Sequence, residues 1–203
     1  MRVRDAMSSP VMTVRATDLV KDVAALLAGH GFTCLPVVDD DGALIGVVTE
    51  ADMVQGQIPH DPRSELLRTE LHQPPPPATV SEVMTTDVRA VPATADLADV
   101  AAMMVHDKLR SLPVLDGEEL VGIITRRDLV RLVGRADEVV ARDIRHRLSM
   151  AFGADWRWTV SVNHGVASIA DTVDDATDRH TVAVLAAAVP GVLHVEVTHR
   201  QLT

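Results

Sequence analysis

The sequence predicts an α/β chain: two pseudo-symmetric repeats of strand–helix–strand–strand–helix, then a small domain of helix–strand–strand–helix–strand. Three observations predict it. An internal repeat runs through the first 134 residues, apolar spacing switches between strand and helix periods inside each copy, and residues 135–203 follow a different pattern. Apolar residues make up 47 % of the 203 and aromatics only 2 %, so Val, Leu, Ile, Ala and Met must fill a core of closely packed layers.

The repeat is found by laying Met7 on Met84. At this offset 11 of 30 positions are identical between 7–36 and 84–113, including Asp22-Val23-Ala24-Ala25 on Asp99-Val100-Ala101-Ala102 and Leu35-Pro36 on Leu112-Pro113. One residue is then lost in an Asp/Gly turn, where chain length is free to change. Beyond it Gly46-Val47-Val48-Thr49 falls on Gly122-Ile123-Ile124-Thr125, and Asp52 on Asp128.

Within each copy a short strand leads, over 11–14 or 88–91. A helix follows with Asp18 or Asp96 near its start and Val23, Leu26 and Leu27, or Val100, Met103 and Met104, at helical spacing. Gly29 and Gly31 suit its end in the first copy. Strands over 35–38 and 112–115 then turn back onto 44–49 and 120–125. A second helix starts after Thr49 or Thr125. The segments are therefore 1–56 for the first repeat, 57–80 for a linker, 81–134 for the second repeat and 135–203 for the last domain. In the linker 64–71 reads as a short helix and Pro74–Pro77 as a stiff extended spacer. The methionines Met7, Met12, Met84, Met103 and Met104 read as core.

In the last segment 136–149 reads as a helix, 158–162 and 165–169 as strands joined at Asn163-His164-Gly165, 174–189 as a helix stopped by Pro190-Gly191, and 192–198 as an alternating strand. Trp156 and Trp158 share one strand face, which reads as packing.

Several function classes are disfavoured. The formal charge is −10, of which −8 falls in the first 134 residues and −2 in the rest, the reverse of a nucleic-acid footprint. The single cysteine, Cys34, forbids an intrachain disulfide and reads as a small buried apolar residue. Nine histidines form no His-x-x-His pair, so no metal site is predicted, and zinc on Cys34 with nearby histidines is the weaker reading. No Gly-rich phosphate loop, Gly-x-Ser-x-Gly or His-Glu-x-x-His occurs, so no enzyme is predicted. The N-terminus lacks a secretory apolar run and no stretch is long enough to span a bilayer, so the cytoplasm is the expected location.

The strings VMT and VMTTDV, LPVVDDDG and LPVLDG, and GVVTEADM and GIITRRDL, in the same order in two copies, resemble a tandem pair of CBS domains, the Bateman module. That resemblance implies a regulatory, non-catalytic pair of small sheets, clefts that take adenosine-containing ligands, and a homodimer formed through the pair. It requires no cofactor, and the implied ligand is AMP, ADP, ATP or S-adenosylmethionine. The candidate ligand residues are Thr33, Thr49, Asp52, Arg110, Thr125, Arg126 and Asp128.

A carboxylate three residues after a threonine, at a strand-to-helix junction, can accept both hydroxyls of a ribose. Thr-x-x-Asp is equally the pattern of a capping box, and the two roles are partly compatible. Arg110 stands where the first copy has Thr33, a position that the resemblance places near the ligand phosphates, and Arg126 where it has Glu50. These two arginines point a phosphorylated ligand toward Asp128, or else are solvated or paired with carboxylates.

The strings HGVASIADTV and VPGVLHVEV resemble a BON domain, with Gly165 and Gly191 at its glycine positions. The resemblance implies contact with membrane, envelope or protein. The alternative function is thus a structural stress protein with empty clefts that dimerises through the CBS pair.

Overall fold

The structure, a computed structural model, describes residues 1–55, 58, 76–153, 157–173 and 175–199. It has mixed α/β architecture and forms two compact units that cut across the repeats. One comprises Ser8–Ala93 and Asp107–Ile124; the other comprises Met1–Met7, Thr94–His106 and Thr125–Thr203.

In the first unit strands β1 (Val14–Arg15), β2 (Cys34–Val38) and β3 (Leu44–Thr49) form one sheet in that order, with helices α1 (Val20–His30) and α2 (Glu50–Val54). β1 runs parallel to β2, and β2 antiparallel to β3 with Pro36 opposite Val47. Val20, Val23, Leu27, Leu35, Val37 and Val48 are buried together, which is the 3.6-residue stripe of α1 laid on one face of the strands. Strands β4 (Val91–Pro92), β5 (Ser111–Asp116) and β6 (Glu119–Thr125) repeat the arrangement, with Val91 opposite Val114.

The lead segments are exchanged between the repeats. Thr85, ahead of the second repeat's strands, makes a two-way backbone bridge to Val47 of β3, at 2.9 Å in each direction. Ser8 does the same to Ile123 of β6, at 2.9 and 3.1 Å. Val80, fully buried, donates its amide to the Asp18 carbonyl at 2.9 Å.

In the other unit lie helices α3 (Leu97–His106), α4 (Arg126–Val133), α5 (Asp137–Phe152) and α6 (Ala176–Ala187) and the sheet β7 (Trp158–Asn163), β8 (Val166–Asp171), β9 (His194–His199). β8 is central, antiparallel to β7 and parallel to β9. Val140, Ile144 and Leu148 of α5 and Val182 and Ala186 of α6 pack with Trp158, Val160, Ala167 and Ile169 from one sheet face. His164 (φ 49°) and Gly165 (φ 76°) form the two-residue hairpin turn between β7 and β8. The Asp137 carboxylate accepts both their amides, at 2.7 and 3.0 Å, and ties the start of α5 to the hairpin tip. Val3 belongs to this unit too, its amide donating to the Ala95 carbonyl at 3.0 Å.

The order of elements is the one expected, and the differences are local. The leading strands shrink to two residues each, because only Val14–Arg15 and Val91–Pro92 reach a partner strand. Asp18 lies ahead of α1, where its carboxylate accepts the Arg15 amide at 2.8 Å, and Asp96 accepts the Ala98 amide at 2.9 Å. Gly29 lies within α1, and Gly31 caps it. Met12 (40 % exposed) and Met103 (36 %) lie at the surface, whereas Met104 is fully buried, as the stripe of α3 passes through Leu97, Val100 and Met104. The expected helix over 64–71, Pro74, Pro75, Trp156 and Asp174 lie outside the described residues.

Candidate functional site

Both Thr-x-x-Asp motifs close a strand and open a helix. At the β3–α2 junction Asp52 Oδ2 accepts the Thr49 amide at 2.7 Å and its hydroxyl at 2.8 Å. At the β6–α4 junction Asp128 Oδ2 accepts the Thr125 amide at 2.9 Å and hydroxyl at 2.6 Å, and the Asp128 amide approaches Thr125 Oγ1 at 3.3 Å. The capping role left open by the sequence is therefore realised in both copies. It uses one carboxylate oxygen. Among the described residues Asp52 Oδ1 has no hydrogen-bond partner, while Asp128 Oδ1 faces the Arg131 guanidinium at 3.5 Å. Asp128 is buried and Asp52 half-buried.

In the first unit a cavity of about 470 Å³ opens beside β3. Cavities that hold small ligands run from roughly 300 to 1,000 Å³. Thr33, Thr49 and Glu50 form one wall, and Lys108, Arg110 and Ser111 another. The exchanged lead segment supplies the rest, with Thr85, Asp87 and Arg89. Gly46 makes this closure possible. A Cβ there would stand 3.0 Å from Met84 Sδ and 3.1 Å from the Thr85 carbonyl oxygen, so a side chain would require the lead segment to give by a few tenths of an ångström.

The charges of the cavity are mixed. Arg89 is paired with Asp107. Lys108 and Arg110 make no ion pair among the described residues and are exposed, with Lys108 held at φ 58°. Non-glycine residues at positive φ concentrate at ligand clamps and turns. Glu50 and Asp87 supply negative charge on the same lining. An anionic group held here would sit toward Lys108 and Arg110.

Cys34 lines this cavity and also a smaller apolar one of about 120 Å³ with Pro10, Val11 and Met12. Burial pushes its thiol up, with a hydrogen bond from Ser111 acting against that and the Asp52 charge adding to it. The thiol is thus protonated at neutral pH and a poor nucleophile. Among the described residues no group of three or more His, Cys, Asp or Glu could hold a metal ion, and no helix is long and apolar enough to cross a membrane.

The sequence grouped Arg110 with Asp128; the cavity groups Arg110 with Thr33 and Thr49. Thr125, Arg126 and Asp128 belong to the other unit, where Arg126 donates to the Met104 carbonyl at 2.6 Å and so ties α4 to the end of α3. Arg89, Asp87 and Lys108 were missed. The place of Asp87 and Arg89 depends on the bridge between Val47 and Thr85, which no local pattern announces. The sole sequence signal was the repeated start string that puts Thr85 opposite Ser8.

Comparison with known proteins agrees with this architecture. The CBS domain family model matches residues 3–57 and 80–135. The chain is 30 % identical over 135 residues to the uncharacterized protein MJ1404 of Methanocaldococcus jannaschii, covering 65 % of this chain and 32 % of that one, so it spans about a third of that relative. The crystal structure of the CBS domain pair of protein MJ0100 in complex with 5′-methylthioadenosine and S-adenosyl-L-methionine is similar over 66 % of this chain and 96 % of that one, with 27 % identity and a TM-score of 0.52. That of CBSX2 in complex with AMP is similar over 64 % of this chain and 93 % of that one, with 30 % identity and a TM-score of 0.52. The chain belongs to the CBS domain family and carries two copies of the domain in tandem.

Proposed function

We propose that the protein is a non-catalytic regulatory module that senses an adenine nucleotide through its CBS pair. One observation carries this reading: a cavity of ligand size gathers Thr33, Thr49 and Arg110 with Lys108, which makes no ion pair among the described residues. The bound AMP of CBSX2 and the adenosyl ligands of MJ0100 support the ligand class. Arg110 is the group for a phosphate; Asp52, the sequence's candidate for the ribose hydroxyls, does not line this cavity but a separate one with Gln55 and Pro77. Thr125, Arg126 and Asp128 form the equivalent motif of the second copy. Binding changes a downstream arrangement only if the ligand prefers one arrangement over another.

Residues 135–203 are read as a BON-like domain, supported by their helix–strand–strand–helix–strand order and by Gly165 and Gly191 at the turns. A homodimer through the CBS pair is supported by Val105, Val130 and Val133, which are 70 %, 70 % and 72 % exposed on α3 and α4.

Isothermal titration with AMP, ATP and S-adenosylmethionine tests the reading. Micromolar binding is expected, weakened about tenfold or more in Arg110→Ala, the loss typical of a hydrogen bond to a charged group. No heat with any of the three, or the same affinity in the variant, counts against it.

A second reading has its own support. Helix α5 exposes Arg142, Arg145, His146, Arg147 and Met150, a basic face in an acidic chain. A structural protein with empty clefts would use it to meet an anionic surface. Co-sedimentation with phosphatidylglycerol vesicles, insensitive to nucleotide and lost in Arg142→Glu/Arg145→Glu, is its expected result.

A further inference from the structure

Helix α4 begins with the Thr125–Asp128 motif and ends three residues before α5, the first helix of the C-terminal domain. The residue in the middle of that gap is Arg135. Its Nη1 donates to the Pro190 carbonyl at 2.7 Å and its Nη2 to the Asp143 carboxylate at 2.5 Å. The Arg135 side chain is 23 % exposed and that of Asp143 37 %. Pro190 lies between α6 and β9, and Asp143 on α5, so one guanidinium ties the first helix of the domain to the loop that leads into β9.

The same loop closes on α4 from the other side. A Cβ on Gly191 would stand 3.3 Å from both the Leu132 carbonyl and Arg135 Cβ. At its start α4 is held to α3 by Arg126 and the Met104 carbonyl. Both ends of this eight-residue helix are thus fixed, one by Arg126 and one by Arg135, within a single compact unit.

We propose that Arg135 is a latch through which the C-terminal domain reads the state of α4, and with it the occupancy of the Thr125–Asp128 motif. The ligand part rests on the nucleotide reading above; the mechanical part does not. Without the latch, α4 hangs from α5 by a short glycine-containing segment and its first turn can loosen unnoticed. With it, a change at the Asp128 cap loads the Pro190 loop and, through it, β9.

The test is a double-mutant cycle read by hydrogen exchange at the β8 and β9 amides, in wild type, Asp128→Ala, Arg135→Gln and the double variant. Asp128 lies in the first turn of α4 and Arg135 just beyond its end, and changes at well-separated, independent sites multiply in rate. The latch predicts that Asp128→Ala speeds exchange in β8 and β9 about threefold or more in the wild-type background, a coupling of ordinary size, and leaves it unchanged once Arg135 is Gln. An equal factor in both backgrounds overturns the proposal, as does no effect of Asp128→Ala on these amides. Should Arg135→Gln unfold the domain by circular dichroism, Arg135→Lys, which retains a donor for Pro190, takes its place and is expected to preserve part of the coupling. Repeating the exchange with AMP separates the two ideas. Coupling without AMP binding keeps the latch and removes the nucleotide reading. AMP binding with multiplicative effects does the reverse.

Discussion

Arg157→Ala is expected to destabilise the C-terminal domain by about 3–5 kcal/mol, the usual cost of removing one partner of a buried ion pair. Asp171 is fully buried at the end of β8, and Arg157 grips it with two parallel bonds of 2.9 Å, from Nε to Oδ1 and from Nη2 to Oδ2. The third nitrogen meets Asp178 of α6 at 2.6 Å, and the guanidinium carbon lies 4.3 Å from the centre of the Trp158 ring. Truncation leaves a fully buried charge whose remaining hydrogen-bond donor, among the described residues, is the Val173 amide. Urea unfolding followed by tryptophan fluorescence measures the loss, and a change below about 1 kcal/mol, as at an exposed pair, would show that Asp171 finds another partner.

The pH dependence has a definite sign. Burial acts to raise the Asp171 pKa, but the Arg157 bonds, the Val173 amide and the neighbouring charges outweigh it and hold the carboxyl below its ordinary value. A carboxyl whose folded pKa is depressed contributes stability above its unfolded value of about 3.9, and that stability is lost as pH falls through the folded value. The wild-type domain should therefore be insensitive to this group between pH 5 and 7. In Arg157→Ala burial prevails, the pKa rises, and stability should increase as pH is lowered through that range.

Gly191→Ala should cost about 2–5 kcal/mol, from a left-handed backbone and from overpacking together. Gly191 has φ 94°, and a Cβ there would lie 2.9 Å from Cγ2 of the fully buried Val140. Gly153 provides the control. It has φ 67° and nothing within 4 Å of a Cβ, so Gly153→Ala should cost only about 1–2 kcal/mol for the backbone. Equal losses in the two variants would mean that Val140 yields freely and that the close approach carries no weight.

Some of this was legible in the sequence. The order of strands and helices followed from apolar periodicity and from the repeat, because both depend on neighbours a few residues apart. The Thr49–Asp52 and Thr125–Asp128 caps were legible for the same reason, being contacts across three residues. The cavity was not. Asp87 and Arg89 reach it through a bridge between positions 47 and 85, and nothing in either stretch specifies the other. Arg157 also escaped notice. It stands just ahead of β7, and its charge is neutralised by an aspartate 14 residues away on β8, a pairing no local pattern announces.

The exchange of lead segments bears on how the chain is made. Ser8 waits for Ile123, and Val3 for Ala95, so each finds its partner only after a much later segment of the chain has been made. The first repeat cannot finish as an autonomous nucleus; its β3 stays bare on one side until Thr85 has been synthesised. Closure of contacts this far apart is entropically slow. During that interval the nascent chain presents unpaired strand edges.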